Sequence, residues 1–289
     1  TLQAQFELEQ SEKEKEIYKF KNIELANANK LIESKNKDIT DSIKYAKHIQ
    51  EAILPERNYM KQYLQDFFIF YKPKDIVSGD FYWFLEKNGL LFIAAVDCTG
   101  HGVPGAFVSI VGGNILNQVV RQNNFTDAAE ILDSVNTMLN MSIRQTFEES
   151  VVKDGMDLVL CVIDKEKMEV NFAGAYNPLY IVRDNELNIY KGNKFPIGIF
   201  IGDEVKKFSS QNIPIQKNDV IYLFSDGYVD QFGGNDNKKL MHKRFRDLIL
   251  ENSQLPMKLQ HYNFELFFEN WKGNREQVDD ILLIGLRIQ

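Results

Sequence analysis

Leu158-Val-Leu-Cys-Val-Ile-Asp-Lys-Glu-Lys-Met-Glu-Val-Asn-Phe-Ala-Gly-Ala-Tyr-Asn-Pro-Leu-Tyr-Ile-Val-Arg-Asp-Asn185 holds three short β-rich runs in direct succession. Leu158–Ile163, Glu169–Phe172 and Leu179–Val182 have the length and β-branched or aromatic content of strands. Turns such as Arg183-Asp184-Asn185 separate them, with no helical stretch between. Consecutive strands of this kind predict antiparallel sheet with helices grouped separately, an α+β layered domain, over a regular βαβ alternation. Outward from this segment, strands are predicted at Phe67–Tyr71, Leu90–Val96, Val220–Phe224 and Ile281–Ile288. Helical patterns run from Pro104 to Val120, Ala128 to Phe147, Lys238 to Asn252 and Pro256 to Trp271. Asp203–Asn218 is polar and irregular and reads as a surface loop or sheet edge.

Residues 1–54 contain neither Gly nor Pro, and this stretch rich in Glu, Lys, Gln and Asn reads as one long helix. The expected division is therefore an N-terminal signalling helix, 1–54, and a globular domain, 55–289. Leu25, Ile32, Ile39, Ala46 and Ile53 recur every seven residues, while Ala28, Lys35, Ser42 and Ile49 are only half apolar. Such a thin seam leaves two readings open: pairing with a second copy in a coiled coil, or a solvated helix docked on its own domain.

The chain has 289 residues, 44% of them hydrophobic, enough for one large domain with an appendage. Its 34 basic and 41 acidic residues give a net charge of −7, which offers no general attraction for nucleic acid. Cys98 and Cys161 form no CxxC pair, and four scattered histidines argue against a His/Cys zinc cage. A reducing, cytoplasmic setting is expected. No apolar run is expected to span a bilayer, and no signal peptide opens the chain. Because it starts at Thr1, an upstream sensor or membrane segment is expected to be missing from this fragment.

Aspartates recur at the ends of apolar runs. Leu91-Phe-Ile-Ala-Ala-Val-Asp97 and Val220-Ile-Tyr-Leu-Phe-Ser-Asp226-Gly227 end in an acid, whereas Asp279-Asp280-Ile-Leu-Leu-Ile begins with two. Ser78-Gly79-Asp80 adds another after a glycine turn. If the last strand runs antiparallel to the first two, Asp279 approaches Asp97 and Asp226 at one edge of the sheet. Two carboxylates about 4 Å apart repel by roughly 4 kcal/mol at an effective dielectric of about 20, so such a cluster requires cations or protonation. All-oxygen ligands select hard cations such as Mg²⁺ or Mn²⁺. Taken singly, each acid is equally a turn residue or a helix cap. Asp157 reads as a turn acid and Asp280 as a solvated or supporting residue. In Asp97-Cys-Thr-Gly-His-Gly-Val-Pro104 a strand ends, glycines permit close approach of the backbone, and Pro104 suits the first turn of a helix. His101 reads as structural.

Asp80 in Ser-Gly-Asp-Phe, Asp97-Cys-Thr-Gly-His-Gly, Ser-Asp226-Gly and Asp279-Asp280-Ile, in that order, resemble the PPM (PP2C-like) serine/threonine phosphatases, and among them the bacterial SpoIIE/RsbU branch. Ala173-Gly-Ala-Tyr-Asn-Pro178, Pro196-Ile-Gly198 and the helix end Ala46–Pro55 fit that branch, so the resemblance spans residues 46–289. It implies two antiparallel sheets packed face to face between helices, an α-β-β-α sandwich. It implies two Mn²⁺ or Mg²⁺ ions, with Asp97 bridging both, Asp226 and Asp279 holding one, and Asp80 and the Cys98 carbonyl holding the other. Asp97, Asp226 and Asp279 would thus carry a metal-activated attack of water on a phosphorylated partner protein, in that branch typically a STAS-domain anti-sigma-factor antagonist. Eukaryotic members bind substrate phosphate through an arginine; Lys74, or Lys72 beside it, stands nearest that place. Thr99 stands where those members carry a histidine, so that role does not pass to His101. The rival readings are a catalytically inactive binding module of the same fold and a hydrolase of small phosphoesters.

Overall fold

Successive residues along Leu90–Cys98 point into two different apolar layers: Leu91, Ile93 and Ala95 into one, Phe92, Ala94 and Val96 into the other. A strand covered on both faces needs an unbroken apolar run, and this segment supplies one. The structure, a computed structural model, describes residues 2–146, 155–198 and 206–289. Two compact units, Thr1–Lys47 and His48–Gln289, make up the chain.

The first unit lies within helix α1 (Leu2–Ile53), and every side chain from Glu12 to Ile39 is solvent-exposed. In the second unit the chain continues through α2 (Arg57–Met60), β1 (Phe67–Lys72), β2 (Phe81–Lys87), β3 (Leu90–Cys98), α3 (Gly102–Gln122) and α4 (Ala128–Thr146). There follow β4 (Met156–Asp164), β5 (Glu169–Ala175), β6 (Leu179–Arg183), β7 (Glu186–Tyr190), β8 (Gln211–Pro214) and β9 (Val220–Phe224). The last elements are α5 (Gly227–Asp230), β10 (Phe232–Gly233), β11 (Lys238–Lys239), α6 (Met241–Asn252), α7 (Met257–Lys272) and β12 (Ile281–Arg287).

Two five-stranded antiparallel sheets, ordered β1-β12-β9-β6-β7 and β2-β3-β4-β5-β8, carry the domain. Their facing sides share one core, which includes Ile69, Ile93, Val159, Ile221 and Ile284. On the outer face of the second sheet, Trp83, Phe92 and Leu160 pack with Leu116 and Val119 of α3 and Leu132 and Val135 of α4. On the outer face of the first, Phe70, Tyr222 and Leu283 pack with Phe245 of α6 and Phe264 and Phe268 of α7. This is the expected α-β-β-α sandwich, with a long N-terminal helix.

Some elements differ from the sequence reading. Helix α6 begins at Met241, because Lys238–Lys239 pair with Phe232–Gly233 in a hairpin instead. The polar stretch read as a surface loop or sheet edge does supply an edge strand, Gln211–Pro214 on β5; residues 203–205 of that stretch and Phe147 lie outside the described residues. Contrary to expectation, one helix among the described residues, α3, is long and apolar enough by composition to cross a bilayer, yet more than half of it is buried inside the domain, where it serves as a core helix.

Candidate active site

Antiparallel pairing of β9 and β12 sets the end of one beside the start of the other, which brings Asp226 to Asp279 and Asp280. Ser225 closes this junction: its amide donates to the Leu282 carbonyl at 3.0 Å, and its hydroxyl accepts from the Leu282 amide at 3.0 Å. A Cβ at position 227 would collide with the Asp280 carbonyl, so the residue after Asp226 must be glycine for the two ends to approach.

Asp97 belongs to the other sheet. It is the penultimate residue of β3 and stands opposite Asp157 of β4 in the antiparallel register. Asp80 precedes β2 of the same sheet, and its Oδ2 accepts from the Ser225 hydroxyl at 2.5 Å. That bond joins the two sheets across the sandwich. The acids therefore meet between two sheets, and the expectation of a single sheet edge is corrected: Asp226 and Asp279 share one sheet, Asp80 and Asp97 the other.

The loop before Asp80 is fixed from three sides. Gln50, near the end of α1, donates to the Ser78 carbonyl at 2.5 Å and accepts from the Ser78 amide at 3.1 Å. Asp280 accepts from the amides of Lys74 and Gly79, each at 2.7 Å. A Cβ on Gly79 would lie 2.5 Å from the Gly100 carbonyl and 3.1 Å from that of Cys98, so this glycine lets the two loops cross closely. Asp280 is 2% exposed and clamps this loop, which favours the supporting over the solvated of its two readings. Asp157 likewise lies inside a strand and is not a turn residue.

Asp97, Asp157, Asp226 and Asp279 line a cleft of about 360 Å³ together with Cys98, Thr99, Gly100, His101, Tyr176 and Pro196. Asp80 lies buried behind it. Burial, followed by the charges of Asp80, Asp226, Asp279 and Asp157, pushes the Asp97 carboxyl well above the usual range. Burial does the same to Asp80; the Ser225 hydroxyl opposes it, and the charges of Asp280, Asp279 and Asp226 reinforce it. Asp226 is raised by burial and by Asp230 and Asp279, with Lys239 acting the other way. Asp157 is pushed up to about 7 by burial and by Asp226. In each case burial and neighbouring carboxylates outweigh the groups that favour the charged form.

Among the described residues, no three Asp, Glu, His or Cys side chains close into a ready-made metal cage. What fits a hard divalent cation is the donor chemistry: carboxylates from both sheets, with the Cys98 backbone at the same cleft and no His or Cys side chain required. Of the lysines beside the first acid, Lys72 is committed to Glu269 at 2.5 Å, while Lys74 is partly buried and is tied to Asp280 through its backbone. His101 lines the cleft with its Nδ1 2.8 Å from Asp75 Oδ2. Gln50, Asp75 and Ser225 were not singled out by sequence; for Ser225 the signal was its place between a buried strand and an Asp-Gly.

The family model for stage II sporulation protein E (SpoIIE) matches residues 87–289. The chain belongs to the SpoIIE family. The SiaA-PP2C domain of Pseudomonas aeruginosa is 31% identical; the match covers 88% of this chain and 98% of that one, with a TM-score of 0.78. The PP2C phosphatase domain of SpoIIE from Bacillus subtilis, with a fragment of its regulatory domain, shares the fold at 16% identity and a TM-score of 0.61, covering 77% of this chain and 63% of that one. RsbX, in a structure with magnesium, shares it at 13% identity and a TM-score of 0.55, covering 77% and 94%. No curated protein sequence matches the chain. This SpoIIE family member therefore carries a domain of PP2C phosphatase type.

Proposed function

We propose that the cleft hydrolyses phosphoserine or phosphothreonine on a partner protein with the aid of two Mn²⁺ or Mg²⁺ ions. The observation that carries this reading is the meeting of Asp80, Asp97, Asp226 and Asp279, from four separated segments and both sheets, with the carboxyls of Asp80, Asp97 and Asp226 raised by burial and by one another. The magnesium in the RsbX structure supports the choice of cation. Asp97, Asp226, Asp279, Asp80 and the Cys98 carbonyl would hold the ions. When bound, they supply an activated water nucleophile and neutralise charge on the phosphoryl group during in-line attack.

The chain's own groups do the positioning. Ser225 orients Asp80, and Gly227 lets Asp226 and Asp279 share one site. Asp75 holds the His101 ring at the cleft wall. Lys74, beside the Asp280 clamp, is the candidate for steadying the substrate phosphate. Family membership makes a phosphorylated STAS-domain protein the proposed substrate.

Turnover of a phosphoserine peptide and of p-nitrophenyl phosphate, with and without Mn²⁺, tests the reading beside Asp97→Ala. Mn²⁺-dependent turnover lost in the variant is expected. No turnover by the wild-type chain would favour a binding module of the same fold, and turnover of the small ester alone a small-phosphoester hydrolase. We also infer that α1 pairs with a second copy, on the support of the exposed Leu25, Ile32 and Ile39 at seven-residue spacing. Removal of residues 1–45 should then convert a dimer to a monomer in sedimentation, and an unchanged mass would refute the pairing.

A further inference from the structure

Beyond the carboxylate site, the hairpin β10–β11, the start of α6 and the end of α7 enclose a second cleft of about 710 Å³, roughly twice the volume of the first. Its charged lining is Lys238, Lys239, Lys243 and Arg244 against Asp236 and Asp247. In a chain of net charge −7, a concave surface with twice as many bases as acids stands out.

The cleft is built, not incidental. Trp271 forms one wall; its indole N–H donates to the Gln231 carbonyl at 3.0 Å, and the Gly234 amide donates to its carbonyl at 2.9 Å. Gly234 has φ +65°, and a Cβ there would strike the Trp271 ring, so only glycine lets the hairpin lie against it. The Arg244 guanidinium carbon lies 4.3 Å from the centroid of the same ring, a cation–π contact that holds the side chain at the cleft. Lys239 is ion-paired at 2.6 Å with Asp230, the last residue of the single turn that follows Asp226. That turn connects the basic cleft to the carboxylate site.

We propose that this cleft docks an acidic segment of the phosphoprotein whose phosphorylated residue enters the carboxylate site. The proposal rests on the phosphatase reading and specifies its substrate class: a phosphoserine flanked by Asp and Glu. Lys238 is paired with Asp236 at 3.3 Å and Lys239 with Asp230, so Lys243 and Arg244 are the donors the cleft offers to carboxylates.

Binding can be read without turnover, by fluorescence anisotropy of two labelled phosphoserine peptides, one flanked by Asp and Glu and one by Ser and Gly. The acidic peptide should bind more tightly, and K243E/R244E should weaken it about tenfold while leaving the Ser/Gly peptide unaffected. The wild-type chain gives a second readout independent of the variant's folding: affinity for the acidic peptide should fall as NaCl is raised. Equal affinity for the two peptides, no salt dependence, or capture of phosphatidylserine vesicles in place of the peptide would overturn the proposal. An inactive chain that still prefers the acidic peptide would sink the phosphatase reading and leave the docking surface standing, whereas an active chain without the preference would do the reverse.

Discussion

Strand β9 has a carboxylate at each end, and the two ends handle the charge in opposite ways. Before it, Asp219, 2% exposed, lies in the fork of Arg183, with Nε at 2.9 Å and Nη2 at 2.6 Å, and also accepts from the Gln216 amide. Beyond its far end lies Asp80, equally buried at 2%, which meets the Ser225 hydroxyl and a group of other carboxylates. Among the described residues, no lysine or arginine forms an ion pair with Asp80, Asp97, Asp226 or Asp279. Where a carboxylate secures the fold, the chain provides the cation; at the cleft it assembles negative charge, which is the feature the proposed metal binding rests on.

The contrast is broken most directly at its secured end. Arg183→Ala strands a buried charge on Asp219 and should cost about 3 kcal/mol or more in urea unfolding. Asp80→Asn in metal-free protein should cost less than about 1 kcal/mol or stabilise, because it removes a repelled buried charge. Equal losses in the two variants would mean that Asp80 is as well compensated as Asp219.

A smaller effect is expected at the junction of β9 and β12. Gly227→Ala must push the Asp280 carbonyl away, at a cost of about 1–3 kcal/mol. It should also weaken Mn²⁺ binding, because Asp226 and Asp279 move apart. Unchanged metal affinity would show that their spacing is not set by this contact.

The smallest expected effect sharpens the electrostatic side. The carboxyls of Asp80 and Asp97 are raised above their ordinary values, so between the ordinary and the raised value the folded chain holds more protons than the unfolded one. Their contribution to stability is therefore present at low pH and is lost as pH rises above the usual carboxylate range. In thermal melts, Mg²⁺ should raise the Tm more at pH 8 than at pH 5, and an equal rise at both would argue against charge relief as its mode of action.

The legibility of each element in the sequence followed its burial. Val220–Phe224 and Ile281–Arg287 are covered on both faces, so they read as unbroken apolar runs with acids at their ends. Edge strand β7, Glu186–Tyr190, pairs with β6 and is largely exposed, with only Leu187 and Tyr190 packed in part on the cores, which leaves a weak apolar pattern. Strand β2, Phe81–Lys87, is mostly buried but lies directly between the Gly79 turn and the Asn88-Gly89 turn, and no strand is predicted there from sequence. At the site, the acids at run ends were visible as residue types. Their partners were not: Gln50 reaches Ser78 from the end of a helix, and Ser225 reaches Asp80 across two sheets, and neither contact has a fixed spacing along the chain. The same holds for the strand position of Asp157 and for the choice between a solvated and a supporting Asp280, since a register opposite Asp97 and a clamp on two distant amides are properties of the fold.

Calorimetric titration of Mn²⁺ into the wild-type chain and into Asp97→Ala tests the central claim most directly. The account predicts binding to the wild type with loss of at least one site in the variant, and with Asp219→Asn, which lies at the secured end, binding as the wild type does where it remains folded. Identical Mn²⁺ isotherms for the wild type and Asp97→Ala would contradict it.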